Sequence, residues 1–366
     1  MTRRVVVLGG YGNFGRYICR ALAPDTRVQL IVAGRSEAKA QRFADELDAA
    51  SAAEAACVDI DEPAEALAAC RPDFVIHTVG PFQSQDYRVA EAAIACGAHY
   101  CDLSDARAFV AGIGALDEAA REARVAAISG ASSVPCLTAA FLDAAQAEFA
   151  AIEAVDYGIA ASQETNRGLG TASAILSYVG RPFLSLRAGR TRPVFGWQDL
   201  HSEVYPELGR RWFGNCDIPD LSLFPARYPT LRTQRFGAGH EIAVIHFGTW
   251  LLSWLVRLRL LPRLDRWSDV LLKASFLFDR WGSGRSGFHI FISGVAHDGS
   301  TLVRRRWMVA RSGDGPNIPC MPAILLARRV AAGEPLAPGA RPCLDLISLD
   351  EFVGALADFD VSVFEG

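Results

Sequence analysis

Over the first 135 residues, short runs rich in β-branched and other apolar side chains alternate with alanine-rich stretches. The runs at 4–8, 28–33, around 55–59, 73–79, 98–102 and 125–129 show no apolar/polar alternation, so both faces of each are expected to be buried. Between them, Arg16–Ala23, Ala38–Ala49, Pro63–Ala69, Tyr87–Cys96 and Gly114–Arg124 read as helices. Strands and helices alternating in this way predict an α/β domain, a doubly wound parallel sheet covered on both faces. Beyond about residue 150 a period of two appears. Phe288-His289-Ile290-Phe291-Ile292-Ser293 alternates as a sheet with one covered face does. Val155–Ala160, Glu241–Phe247, Phe288–Val295 and Thr301–Ala310 are expected as mostly antiparallel strands. A helix at Thr171–Val179 and a Pro/Gly/Trp-rich stretch, Arg181–Pro229, lie between the first two; helices at Pro319–Ala332 and Ser348–Ala357 follow. The predicted organisation is an α/β domain over 1–135, an α+β domain over 136–316, and C-terminal helices over 317–366 that return to the first domain.

The junction of the first strand and first helix carries the chemistry. Val5-Val6-Val7-Leu8 runs into GGYGNFGR, which contains Gly10-x-Gly12-x-x-Gly15. Gly10 is expected to make a tight turn, Gly12 to let a pyrophosphate approach the backbone, and Gly15 to let the helix pack against the strand. With Tyr11, Asn13 and Phe14 between the glycines, the helix start presents N–H groups and the positive dipole end to an anion. Placed after a strand and before a helix, the motif reads as a Rossmann-type dinucleotide site. The second strand ends in Gly34-Arg35-Ser36, where an NAD site carries an acid on the ribose hydroxyls. No acid stands there. Gly34 is expected to leave room for a 2′-phosphate, Arg35 to offer a guanidinium fork and Ser36 a hydroxyl, which selects NADP(H). The other reading of Arg35 is a solvated residue at a strand end. Asp59, at the end of the third strand, joins the cofactor-binding set.

Ligands of open parallel sheets bind beyond the carboxyl ends of the strands. The fourth strand ends in Thr78-Val79-Gly80-Pro81-Phe82, where Gly80 admits the cofactor to the backbone and Phe82 is expected beside the nicotinamide ribose. The sixth ends in Ser129–Pro135, a small-residue loop whose Ser132 is expected against the nicotinamide. The fifth ends in Tyr100-Cys101-Asp102-Leu103-Ser104. Asp102 is the first candidate proton donor for hydride-transfer chemistry, or else a capping or turn-stabilising Asp. Tyr100 is the second candidate, or else a packing residue. His77 reads as a core histidine and Cys136 as an inert buried thiol. Neither a covalent nucleophile nor a metal is called for.

Composition narrows the partners. A net charge of −4, pI near 6.0 and scattered arginines exclude a nucleic-acid footprint, and 51% hydrophobic residues supply a large core. Nine cysteines without a C-x-x-C pair indicate neither a zinc site nor a disulfide framework, and suit a reducing cytoplasm. Arg3-Arg4 resembles an export signal, but the apolar run behind it ends at Gly9 and is accounted for by the first strand. The segment His246–Pro262 has about ten apolar residues before Arg257, short of the roughly 20 that span a bilayer. It is expected as a core or subunit-contact helix of a homodimer rather than a membrane-surface element.

Together, VVVLGGYGNFGRYICRAL, AGRS, FVIHTVGPF, GAHYCDLSD, SGASSVP and GDGPNIPCMPA resemble the saccharopine dehydrogenase-like oxidoreductases. The resemblance runs through residues 1–145 and again through 313–350. It implies an NADP(H)-binding Rossmann domain followed by an α+β domain whose sheet supports dimerisation and closes over a small-molecule substrate. It also implies reduction of a C=N bond between an amine and a carbonyl compound, or the reverse, with C=C reduction known among relatives. A substrate with several carboxylates needs converging arginines, whereas 246–281 is rich in Trp, Leu and Phe, so a substrate of limited polarity is expected. The alternative is an NADPH-binding protein with little catalysis, a redox sensor or a membrane-associated scaffold.

Overall fold

A computed structural model describes residues 2–164 and 168–366. The chain forms two compact units, 1–137 with 316–347, and 138–315 with 348–366.

The first unit is built on the apolar runs. Strands β1 (Arg3–Leu8), β2 (Val28–Gly34), β3 (Glu54–Cys57), β4 (Phe74–His77), β5 (His99–Asp102) and β6 (Ala126–Ser129) lie in the order β6-β5-β4-β1-β2-β3. Every pairing is parallel. Val5, Val6 and Val7 are fully buried, as a run sandwiched between helices must be. Helices Ala64–Cys70 and Arg88–Ala95 pack through Leu67, Val89 and Ala93 against Val6, Ile31 and Val75 of one face. Helix α1 (Gly15–Leu22) packs with the late helix Asn317–Ala332, which also reaches β1 and β4. A seventh parallel strand, Gly339–Pro342, extends the sheet beside β6. The helix expected at Gly114–Arg124 is a 3₁₀ turn, Ile113–Leu116, leading into Asp117–Glu122, and Arg107–Gly112 adds a helix before it.

The second unit holds a seven-stranded sheet in the spatial order 201–205, 209–215, 233–240, 149–161, 286–296, 301–310 and 361–365. Only the pairing of 233–240 with 149–161 is parallel. Glu241–Phe247, expected as a strand, is instead the start of helix Ala243–Arg257, and the strand lies just before it at Thr233–His240. The β-branched Val244 and Ile245 suggested a strand, but the apolar spacing that continues to Leu258 is helical. Arg181–Pro229 folds into strands 182–187, 190–195, 201–205 and 209–215 and the helix Asp220–Arg227. Its first hairpin turns at Ala188-Gly189, both at positive φ (51° and 75°), the conformation that matches a two-residue loop to twisted strands. The single C-terminal segment expected over 317–366 is divided at 347/348, its last part pairing with 301–310 in the second unit.

Candidate functional site

The carboxyl ends of β1 to β6 carry the residues expected to form the site. Gly9 turns the chain out of β1 with φ +77°, and a side chain there would meet Thr78 Oγ1 at 2.7 Å. The tight turn expected at Gly10 thus has its left-handed residue at Gly9. The Gly12 N–H closes the turn on the Gly9 carbonyl at 2.7 Å. A Cβ on Gly15 would sit 2.1 Å from that same carbonyl, so only glycine lets α1 begin this close to β1. No side chain caps the α1 N-terminus, and no acid stands in its first turn. Tyr11, Asn13 and Phe14 line this half-buried loop. Arg16, which sequence reasoning passed over, donates to the carbonyls of Gly12 (3.1 Å) and Tyr11 (3.2 Å) and so braces the loop from the first turn of α1.

At the end of β2, the room expected at Gly34 for a phosphate is filled by Tyr11. A Cβ on Gly34 would lie 2.7 Å from the Tyr11 hydroxyl, which accepts the Ser36 N–H at 3.1 Å. Ser36 also N-caps helix α2 (Glu37–Asp45), its Oγ accepting the Lys39 N–H while its own hydroxyl proton stays available. Arg35 is exposed, and among the described residues its guanidinium has no hydrogen-bond or ionic partner. Asp59 is exposed, with Oδ1 accepting the Asp61 N–H at 3.1 Å.

The β4 loop is tied to β1. Thr78 Oγ1 donates to the Leu8 carbonyl at 2.8 Å, and Gln85 Nε2 donates to the Val79 and Pro81 carbonyls at 2.7 and 3.1 Å. Gly80 is exposed. Phe82 turns inward, 5% exposed, edge-on to His77 at 4.9 Å and 5.4 Å from Phe109. It packs inside this unit instead of presenting a face to a nicotinamide ribose.

Asp102 is 0% exposed. Its Oδ1 accepts from Gly130 N (2.8 Å), Ser104 N (3.0 Å) and Ser129 Oγ (3.0 Å), which pins the end of β6 and the Gly130–Ser132 turn to β5. Burial pushes its carboxyl up to about 6, against the pull of those donors and of the Tyr100 hydroxyl beside it. Tyr100 is equally buried; its hydroxyl meets His77 Nδ1 at 3.2 Å, and burial raises its pKa. Burial holds His77 down to about 3, and therefore neutral. Ser132 is buried in the same turn.

The second unit gathers arginines that are distant in sequence. Arg187, Arg192, Arg235 and Arg305 surround a depression of about 550 Å³ with Asp156 and Asp199. The two inner ones are already engaged: Arg235 forks onto Asp156, and Arg187 bonds the Gln234 carbonyl, Ser185 and Asn215. Only Arg192 and Arg305, both exposed, remain at the rim, so the group is not a pre-formed clamp for a polycarboxylate.

The strand order, the side-chain-free turn and the uncapped helix end fit a nicotinamide dinucleotide, and define a Rossmann dinucleotide-binding unit joined to a mixed-sheet α+β unit. Residues 5–128 match the family of saccharopine dehydrogenase NADP-binding domains, and the cofactor is NADP(H). The whole chain shares its fold with apo saccharopine dehydrogenase (L-Glu forming) from Saccharomyces cerevisiae, at 13% identity and TM-score 0.67 over 100% of both chains. It is similar also to homospermidine synthase from Legionella pneumophila in complex with NAD, at 10% identity and TM-score 0.60 over 100% of this chain and 92% of that one. No curated protein matches in sequence.

Proposed function

We propose that the protein is an NADP(H)-dependent oxidoreductase that reduces, or forms by oxidation, a C=N bond. The observation that carries this reading is the cradle at Gly9–Gly15, where a side chain at Gly15 would enter the space of the Gly9 carbonyl. When bound, the dinucleotide supplies or accepts a hydride. The loop backbone and the α1 N-terminus hold its pyrophosphate, and Arg35, with the Ser36 hydroxyl, holds the 2′-phosphate. The role of Asp102 is positioning: with three donors on one oxygen and no exposed surface, it fixes the Gly130–Ser132 turn. C=N chemistry is favoured because an iminium carries its proton before hydride arrives and the product amine takes one from water, whereas a conjugated C=C needs a proton delivered to carbon. The burial of Asp102 and Tyr100 also supports a second reading, an NADPH-binding protein with little turnover.

The test has two arms. A charged hydrogen bond contributes about 1.5–3 kcal/mol, so one good Arg35 contact favours NADPH over NADH by roughly 10–150-fold. Calorimetric titration of both cofactors should show that preference in the wild type and its loss in Arg35→Ala, with NADH binding unchanged. Equal wild-type affinities, or a variant that loses both cofactors together, would remove Arg35 from the site. NADPH oxidation is then screened against imines formed in situ and against conjugated enones. Consumption with enones alone overturns the C=N assignment, and consumption with neither favours the second reading.

A further inference from the structure

Helix Ala243–Arg257 and the elements after it, Leu264–Trp267, Ser268–Phe276 and Asp279–Trp281, expose large apolar side chains along their length. The first helix buries one side against Trp197 and Val179 through Leu252 and Val256. Its other side exposes Val244, Phe247, Leu251, Trp254 and Leu258, spaced three and four residues apart as one stripe. The turn that follows exposes Leu260 by 66%, and the next helices expose Trp267 by 53%, Leu277 by 74% and Trp281 by 58%. Scattered exposed leucines need no explanation, but twelve of the sixteen exposed large apolar side chains among the described residues fall within 243–281, and such a concentration marks an interaction surface. The core helix expected from the sequence is thus covered on one side only.

Two observations identify the occupant. Four of the chain's seven tryptophans, at 250, 254, 267 and 281, lie in this segment, and tryptophan is the residue that settles at a membrane–water boundary. The charge is equally lopsided. Residues 243–281 hold six cations and three acids, net +3, in a chain of net −4. Each acid is already partnered: Asp265 by Arg263, Asp269 by Lys273 and Asp279 by Gln163 Nε2. Arg259 and Arg266 have no ionic partner among the described residues, and Arg280 lies over the Trp281 ring at 4.3 Å. A two-fold partner would bring this basic rim against itself. An anionic bilayer complements it. The helix has 15 residues, and no described helix is long and apolar enough to cross a membrane. We infer that this face is a monotopic docking surface for anionic lipid, with the leucines and tryptophans sunk to the acyl boundary and the arginines among the headgroups.

The test is flotation of the full-length protein with vesicles of phosphatidylcholine alone and of phosphatidylcholine with 30% phosphatidylglycerol. Binding is expected with the anionic vesicles and should weaken as salt is raised. Leu258→Glu/Leu260→Glu should reduce it at least about tenfold through lost apolar burial. Arg259→Gln/Arg266→Gln should reduce it about five-fold per arginine. These positions are exposed, and unchanged circular dichroism and NADPH affinity confirm that each variant is folded. Absence of binding to either vesicle, or equal binding to both, overturns the inference. So does a wild-type dimer by light scattering that the leucine variant dissolves while no vesicle binding is seen, for the face is then a self-association surface.

Discussion

Replacing Asp102 by Asn separates a positioning carboxyl from a proton donor, because the amide keeps an oxygen for Gly130, Ser104 and Ser129 while losing the titration. The carboxyl's ordinary value of 3.8 rises to about 6 in the folded chain. A group that holds its proton more tightly when folded contributes stability that is complete below about 3.8 and is lost as pH climbs through about 6. The full span is about 3 kcal/mol, of which about 1.4 kcal/mol falls between pH 8 and pH 5. The wild-type profile alone does not isolate it. His77, His246 and His289, each held down to about 3 mainly by burial, favour the folded state at high pH and lose that contribution as pH falls below 6.5. The informative quantity is the difference between wild type and Asp102→Asn in urea unfolding at pH 5, 6, 7 and 8. On acidification it should shift toward the wild type by about 1.4 kcal/mol, with NADPH affinity unchanged at neutral pH. A flat difference refutes the argument from burial. A variant that binds NADPH normally but turns over 10²–10⁴-fold more slowly on a substrate found by the imine screen makes Asp102 the proton donor after all, that being the typical contribution of a positioned acid.

Two further outcomes are expected. Gly15→Ala places a methyl 2.1 Å from the Gly9 carbonyl, and overpacking of about 1–3 kcal/mol should weaken NADPH binding roughly 5–150-fold in a fluorescence titration; unaltered affinity would show that the turn yields freely. Asp220, bonded to Thr138 in the second unit, is pushed by burial up to about 7, so the Asp220→Asn difference should move toward the wild type by about 2.5 kcal/mol from pH 8 to pH 5, and a pH-independent difference would mean that Asp220 titrates normally.

The parallel sheet was legible because its central strands are buried on both faces, Val5–Leu8 and Phe74–Ile76 being wholly apolar, whereas the edge strand Glu54–Cys57, expected to be buried likewise, is partly exposed. The glycine turn was legible for a steric reason, since the positions facing Gly9 O tolerate no Cβ. What the sequence left open or placed differently depends on contacts between residues far apart in sequence. That Tyr11 fills the space at Gly34, that Phe82 turns in on His77, and that Asp102 is closed over by Ser129 and Gly130 are packing outcomes without a local signature. The outward stripe of 244–258 was visible as periodicity, but periodicity does not say whether a stripe faces core or surroundings. By contrast, the hairpin at Ala188-Gly189 and the turn at Glu207–Gly209 carried local glycine signals that the Pro/Gly/Trp-rich reading of 181–229 passed over.

The seventh strand of the parallel sheet, Gly339–Pro342, and the helix Asn317–Ala332 beside α1 reach the first unit only after some 180 residues of other structure have been threaded between. Synthesis runs from one end, so the edge of β6 stays unpaired and one flank of α1 uncovered until residue 342 has emerged. The two units are interlocked in time as well as in sequence: the second begins before the first is finished and closes, with Val361–Glu365, after it. A fragment ending near residue 137 would expose an open sheet edge, an invitation to aggregate, so the cofactor-binding half of this protein is a property of the whole chain rather than of its N-terminal third.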